Sequence, residues 1–167
     1  MRSVYHLAER LMGMDAEIWR RHANPWSVFT RFLALPLLVL AIWSHVWIGW
    51  WAVVAMILAC FWIWLNPRLF APPVRLDSWA ARGVMGERVF IDRRDEIARH
   101  HRLWADGLAW ASLPGLIVLA CGLIWTDPVW TIFGTVLAMV PKLWFVDRMV
   151  WLYGDWLRTA GKELGDV

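Results

Sequence analysis

Four apolar runs, each close to 20 residues long, constrain this chain more than any other feature. A helix that crosses a ~30 Å hydrocarbon core needs about 20 mostly apolar residues at ~1.5 Å rise each. Residues 26–44, 46–65, 107–125 and 129–146 meet that requirement. They come in two close pairs, joined by Ser44-His45 and by Thr126-Asp127-Pro128, so each pair reads as a tight helical hairpin. Asp127 is a suitable cap for the helix that Pro128 opens. Composition agrees: 60% hydrophobic against 19% charged residues lies outside the soluble class and excludes disorder, and two Cys exclude a disulfide scaffold. The expected fold is an all-α integral membrane protein with four transmembrane helices in two hairpins, plus amphipathic helices at the cytosolic interface.

Orientation follows from the cations. Of 17 Lys and Arg, five precede or open the first span, eight fill the segment from Arg68 to Arg102, and four lie from Lys142 onward. The hairpin tips carry none. The positive-inside rule therefore places both termini and the central segment in the cytosol. The net charge of +3 fits contact with anionic lipid headgroups of the bilayer rather than nucleic acid, because acids are interleaved with the Arg residues.

The whole chain, 1–167, reads as a single membrane domain: an interfacial helix over 1–25, a first hairpin over 26–65, a cytosolic connector with a short helix over 66–106, a second hairpin over 107–151, and a cytosolic tail over 152–167. The first 30 residues lack a signal peptide's apolar core. Instead, Leu7, Leu11, Met14 and Ile18 recur at helical spacing between charged residues, as in a helix lying on the membrane surface. In the connector, Asp77 is the expected cap of a short helix on which Gly83 and Gly86 form a small-residue face. Cys60 and Cys121 differ in expected depth by ~15 Å, too far for a disulfide.

A shift of 78 positions aligns Arg21, His22, Trp26, Leu35, Pro36, Leu38 and Trp47 with Arg99, His100, Trp104, Leu113, Pro114, Leu116 and Trp125. These identities suggest a duplication. With an even number of spans between copies, the repeats run parallel in the membrane. Pro36 and Pro114 are each expected to kink a span.

If four span ends meet at the cytosolic boundary, polar residues distant in sequence become one cluster. Arg31 and Lys142 each lie several ångströms inside the expected hydrocarbon edge, where a cation either snorkels to the headgroups or faces the interior to hold a phosphate or carboxylate. Asp147 is an alternative partner. Asn24-Pro25 reads first as a helix start, and such a start also aims amide donors at the interface. With Asn66 and Arg68, these residues form the candidate headgroup or anion set: Asn24, Arg31, Asn66, Arg68 and Lys142.

Metal ligands are only faintly indicated. Glu96 and His100 are four apart, as on one helical face, His101 is adjacent, and His22 is the repeat mate of His100. No HExxH or CxxC pattern accompanies them, so no metal is assigned and the cofactor stays unknown. No paired mid-membrane histidines favour haem, and no Gly-rich phosphate loop or nucleophile elbow occurs.

The run His22-Ala-Asn24-Pro25-Trp26-Ser27 with Arg31, then Trp64-Leu-Asn66-Pro67-Arg68, then Trp79 with Gly86-Glu87-Arg88, resembles a family of small bacterial and archaeal membrane proteins classed as a domain of unknown function. The resemblance spans about residues 15–150. It implies a multi-span protein of a prokaryotic cytoplasmic (inner) membrane, and it adds Glu87 to the candidates. From the residues alone, Glu87 reads as an exposed acid beside Arg88.

Two functions are weighed. One is binding, or acting on, an amphiphile with an anionic head at the cytosolic leaflet, with His22 or His100 as general base and Glu87 as a further catalytic candidate. The other is an accessory or scaffold subunit of a larger complex, or a homo-oligomer, packed through small residues such as Gly122 and Gly134. The 16 Trp sort into two groups at the ends of the spans, outer (Trp43, Trp47, Trp50, Trp51, Trp125, Trp130) and inner (Trp19, Trp26, Trp62, Trp64, Trp79, Trp104, Trp144, Trp151, Trp156), with Trp110 a shallow exception. That is the pattern of interfacial anchoring belts.

Overall fold

The computed structural model describes residue 13 and residues 15–161, and among these every regular element is helical. Helix α1 (Ala16–His22) starts at Asp15, whose side chain accepts from Ile18 N at 2.7 Å. Helix α2 (Pro25–Phe32) has Asn24 as cap, accepting from Trp26 N at 2.9 Å, with Pro25 in its first turn. After a break at Leu33 the chain continues as α3 (Ala34–Trp43), the short α4 (His45–Ile48), a 3₁₀ turn (Gly49–Trp51) and α5 (Ala52–Leu69). Then come α6 (Trp79–Asp92), α7 (Arg99–Ala111), α8 (Leu113–Ile124) and the 33-residue α9 (Pro128–Ala160). The expected cap at Asp127 is present, accepting from Val129 N and Trp130 N. Helix α6, however, is capped by Ser78, which accepts from Ala81 N, and not by Asp77. Asp77 is instead paired with Arg75.

The prolines act slightly upstream of where they stand. Pro36 and Pro114 have no N–H for the carbonyls of Phe32 and Trp110, and the helices break at Leu33 and Ser112, between the orphaned carbonyl and the ring. In the second case the N–H of Ser112 bonds the freed Trp110 carbonyl.

Three helical runs are long and apolar enough to cross a membrane: Pro25–Leu69, Arg99–Ile124 and Pro128–Thr159. The first has 45 residues, on the order of 68 Å if straight, about twice a hydrocarbon core. It turns back on itself. Gly49 takes φ 55° and ψ −130°, a conformation that L side chains rarely adopt, and the two ends of the run meet where Ser27 bonds Asn66. The reversal is therefore a helical corner over 44–51 rather than the two-residue turn expected at Ser44-His45. Only 6% of this run's most apolar window is buried inside the protein. Apolar surface so extensive requires a non-aqueous surrounding.

Glycines set the close packing. Helices α8 and α9 approach through Gly115, Gly122 and Gly134, where a Cβ would lie 2.3–2.4 Å from backbone atoms of the facing helix. Gly86 seats α6 against the α9 backbone in the same way, while a Cβ at Gly83 would lie 2.7 Å from the Val146 side chain. Helix α6 is the most thoroughly buried element: Val84, Met85, Val89 and Phe90 pack with Phe145, Met149, Leu152 and Tyr153 of α9. The small-residue face expected at Gly83 and Gly86 is part of this buried surface, which continues as apolar residues spaced three to four apart within a charged segment. Residues 152–160, expected as tail, continue α9 and supply Trp156 and Leu157 to this core.

Trp50, Trp51, Trp47 and Trp125 at the tips, and Trp26, Trp104, Trp144 and Trp151 at the other end, are exposed as anchoring belts require. Trp19 and Trp156 depart from that expectation: both are buried in the core beneath α6. Trp43 joins the two halves at the tips, donating to Thr131 Oγ1 at 3.3 Å. Leu7, Leu11 and Met14 lie outside the described residues; of the expected interfacial helix, α1 is seen, and it buries Trp19 and His22 against the body. Cys60 and Cys121 are free thiols.

Candidate functional site

The end of the bundle where α2, α5, α6 and α9 meet holds two polar clusters. The first centres on Glu87. Arg31 on α2 approaches Glu87 Oε2 at 3.8 Å, and Lys142 on α9 approaches Oε1 at 3.6 Å. Glu87 is only 16% exposed, Arg31 33% and Lys142 50%. Burial alone would raise the Glu87 carboxyl, but the Lys142 and Arg31 charges outweigh it and hold the group below its ordinary value, so it is ionised. Both cations face this one carboxylate. Among the described residues no other acceptor engages either, although Lys142 Nζ also lies 4.6 Å from the Phe145 ring. An arginine carries five N–H donors and a lysine three, so most of their hydrogen-bonding capacity is unspent.

The sequence suggested a phosphate or carboxylate between Arg31 and Lys142, with Asp147 as an alternative partner. Asp147 instead accepts from Trp79 Nε1 at 3.1 Å. Nor is Glu87 the exposed acid that its neighbour Arg88 suggested. Glu87 lies one residue beyond Gly86, where α6 comes closest to α9, and Arg88 pairs with Asp92. The Gly86-Glu87 pair was the available signal, a contact glycine beside a charge.

The second cluster is a buried hydrogen-bonded chain. Ser27 Oγ donates to Asn66 Oδ1 at 2.9 Å, Asn66 Nδ2 donates to Thr30 Oγ1 at 2.7 Å, and Thr30 Oγ1 donates to the Trp26 carbonyl at 2.6 Å. His22 Nδ1 lies 3.4 Å from Ser27 Oγ, and its Nε2 has no partner among the described residues. His22, Ser27 and Asn66 have no exposed surface. Burial, and after it the Arg31 and Lys142 charges, hold the His22 pKa well below its usual value, so the ring is neutral. Asn66 thus ties α5 to α2 from inside, and neither it nor Ser27 is open to a ligand.

The remaining candidates fall elsewhere. Asn24 spends its oxygen on the helix cap and its amide on the Ala71 carbonyl at 2.9 Å. Arg68 bonds the Trp64 carbonyl and stacks over that indole at 4.2 Å. Glu96 sits in a 3₁₀ turn (Arg94–Glu96) that ends before α7, so it does not share a helical face with His100 as its spacing implied, and it pairs with Arg93 at 3.0 Å. His100 is exposed, whereas His101 is turned inward and bonds Asp155 of α9 at 2.9 Å. Identity makes His100 the repeat mate of His22, yet burial singles out His101.

The pairing of an Asn24-Pro25 start with an Asn66 that reaches back to Ser27, and of Gly86-Glu87 with Arg31, places residues of the HxNPWS, NPR and GER motifs in these two clusters. The chain belongs to a family of unknown function, DUF6653, which matches residues 4–165. No curated protein and no solved structure matches it. Family membership therefore extends the likeness over nearly the whole chain and assigns no chemistry.

Proposed function

We propose that this DUF6653 protein is a four-span membrane protein that binds an anionic amphiphile headgroup between Arg31 and Lys142, with Glu87 holding the two cations apart and oriented. Four traverses are counted because the 45-residue run reverses at Gly49. The density of cations at the end opposite the tips supports a cytosolic site in the inner membrane of a prokaryote. A parallel duplication is supported by helix breaks at Leu33 and Ser112, which differ by one position from the 78-residue shift.

The observation that carries the reading is the approach of two cations, at 3.6 and 3.8 Å, to one carboxylate near the polar ends of the long apolar runs. The pair leaves net positive charge and open donors, which a phosphate or carboxylate would satisfy. Binding is favoured over catalysis because the histidine–serine pair, His22 and Ser27, is sealed from any substrate. The scaffold reading loses one of its supports, since Gly122 and Gly134 are consumed within the α8–α9 seam, while the exposed apolar spans still allow it.

The test is lipid mass analysis of the protein purified in mild detergent, for wild type, Arg31→Gln and Lys142→Gln. One retained anionic lipid per chain is expected, with each variant weakened about tenfold, or ~1.4 kcal/mol. Equal retention in all three would show that the cations merely snorkel. A discrete co-purifying complex without bound lipid would restore the scaffold reading.

A further inference from the structure

A separate cluster lies where the first turn of α7 meets the last turns of α9. His101 is 4% exposed, and its Nε2 lies 2.9 Å from Asp155 Oδ2. The His100 ring stands beside it, centroids 4.1 Å apart, and one ligand-capable atom from each of the three residues lies within 4.8 Å of the other two. We propose that His100, His101 and Asp155 form a binding site for a divalent first-row transition-metal ion.

Three features favour an ion over a simple ion pair. Two imidazoles and a carboxylate bring three donor atoms of metal-ligating type within reach of one ion. His100 makes no hydrogen bond among the described residues, so its ring is uncommitted and, being exposed, can turn. The Asp155 carboxylate is already aimed: Oδ1 is held by Arg158, the kind of outer partner that orients a ligating carboxylate, and Oδ2 points at His101.

Nitrogen and oxygen ligands about 2.0–2.2 Å from a zinc ion stand roughly 3.3 Å apart. The His101–Asp155 edge opens slightly to reach that spacing, and the longest edge closes by rotation of His100. Two imidazoles and one carboxylate suit zinc or iron better than calcium or magnesium. A groove of ≈ 220 Å³, lined by His101, Asp155 and Glu96 among others, opens on the cluster. It leaves room for water or a further oxygen ligand, an open coordination sphere rather than a closed structural one.

Zinc alone is the probe, added to the full chain without a histidine tag, in detergent and in competition with a chromophoric chelator. Wild type should bind one equivalent. Asp155→Asn, which keeps a hydrogen-bond acceptor for His101 but loses the charged ligand, and His100→Ala should each weaken zinc at least tenfold. Because His100 is exposed, His100→Ala should melt with wild type in the absence of zinc. Zinc should then raise the melting temperature of wild type and not of His100→Ala. No stoichiometric uptake by wild type, or uptake and thermal response unchanged in both variants, would overturn the proposal. Arg31→Gln should leave zinc binding untouched, so this result stands or falls apart from the headgroup reading.

Discussion

Glu87→Gln separates the headgroup reading from a purely structural ion pair, because the two predict different responses to lipid. The variant keeps shape and removes the one anion that Arg31 and Lys142 share. At 3.6 and 3.8 Å, Coulomb's law gives about 4.5 kcal/mol per pair at an effective dielectric of 20 and about 1 kcal/mol in water. Removing one partner from a fully buried pair typically costs about 3–5 kcal/mol. Here Lys142 is 50% and Arg31 33% exposed, so solvent screening lowers the expected loss to about 2 kcal/mol. For a chain of this size that corresponds to a melting temperature ~4–8 °C lower.

The assay is thermal unfolding in a zwitterionic detergent, with and without an added anionic phospholipid. Site charge rises when Glu87 becomes neutral, so the variant should bind anionic lipid more tightly than wild type, the reverse of Arg31→Gln. Saturation at about 100 times Kd contributes ~2.7 kcal/mol, enough to restore the melting temperature. A variant whose melting temperature falls and stays low with anionic lipid, or responds equally to a zwitterionic lipid, would refute the reasoning. A variant as stable as wild type without lipid would show that the ion pairs contribute nothing.

Four further outcomes follow from the packing and the buried polar chain. Gly86→Ala places a Cβ 2.1 Å from the Met149 carbonyl oxygen; α6 and α9 must separate, and a loss of about 3 kcal/mol or more is expected in thermal melts. Gly107→Ala, with open space around it, should be neutral or stabilising by up to about 1 kcal/mol. Ser27→Ala strands Asn66 Oδ1 and should cost about 1–3 kcal/mol, with Ser27→Thr or Ser27→Cys available to distinguish lost bonding from lost volume. The folded-state pKa of His22 is depressed, so the unfolded chain binds the extra proton first: stability is full above ~6.5 and falls as pH drops below it. His22→Gln should flatten that slope between neutrality and mild acid; an unchanged slope would assign the effect to other groups.

What the sequence determined by itself is what the solvent determines. Long apolar runs, cations gathered at one end, Asp127 and Asn24 beside their prolines, and exposed indoles at the run ends all report local response to a bilayer, and each is local in sequence. The expected depth of Arg31 and Lys142 rests on the same kind of local reading, since rise per residue converts position into distance. Only tertiary structure decided who meets whom. Arg31, Glu87 and Lys142 stand 56 and 55 residues apart along the chain, and their meeting depends on α6 settling between α2 and α9 on two glycines. The same docking buries Trp19 and Trp156, which hydropathy alone assigns to the interface, and turns His101 rather than His100 toward Asp155. Periodicity shows which residues avoid water. Which apolar face a helix presents to protein rather than to lipid is set by steric fit, and in a chain this apolar that choice leaves little mark on composition.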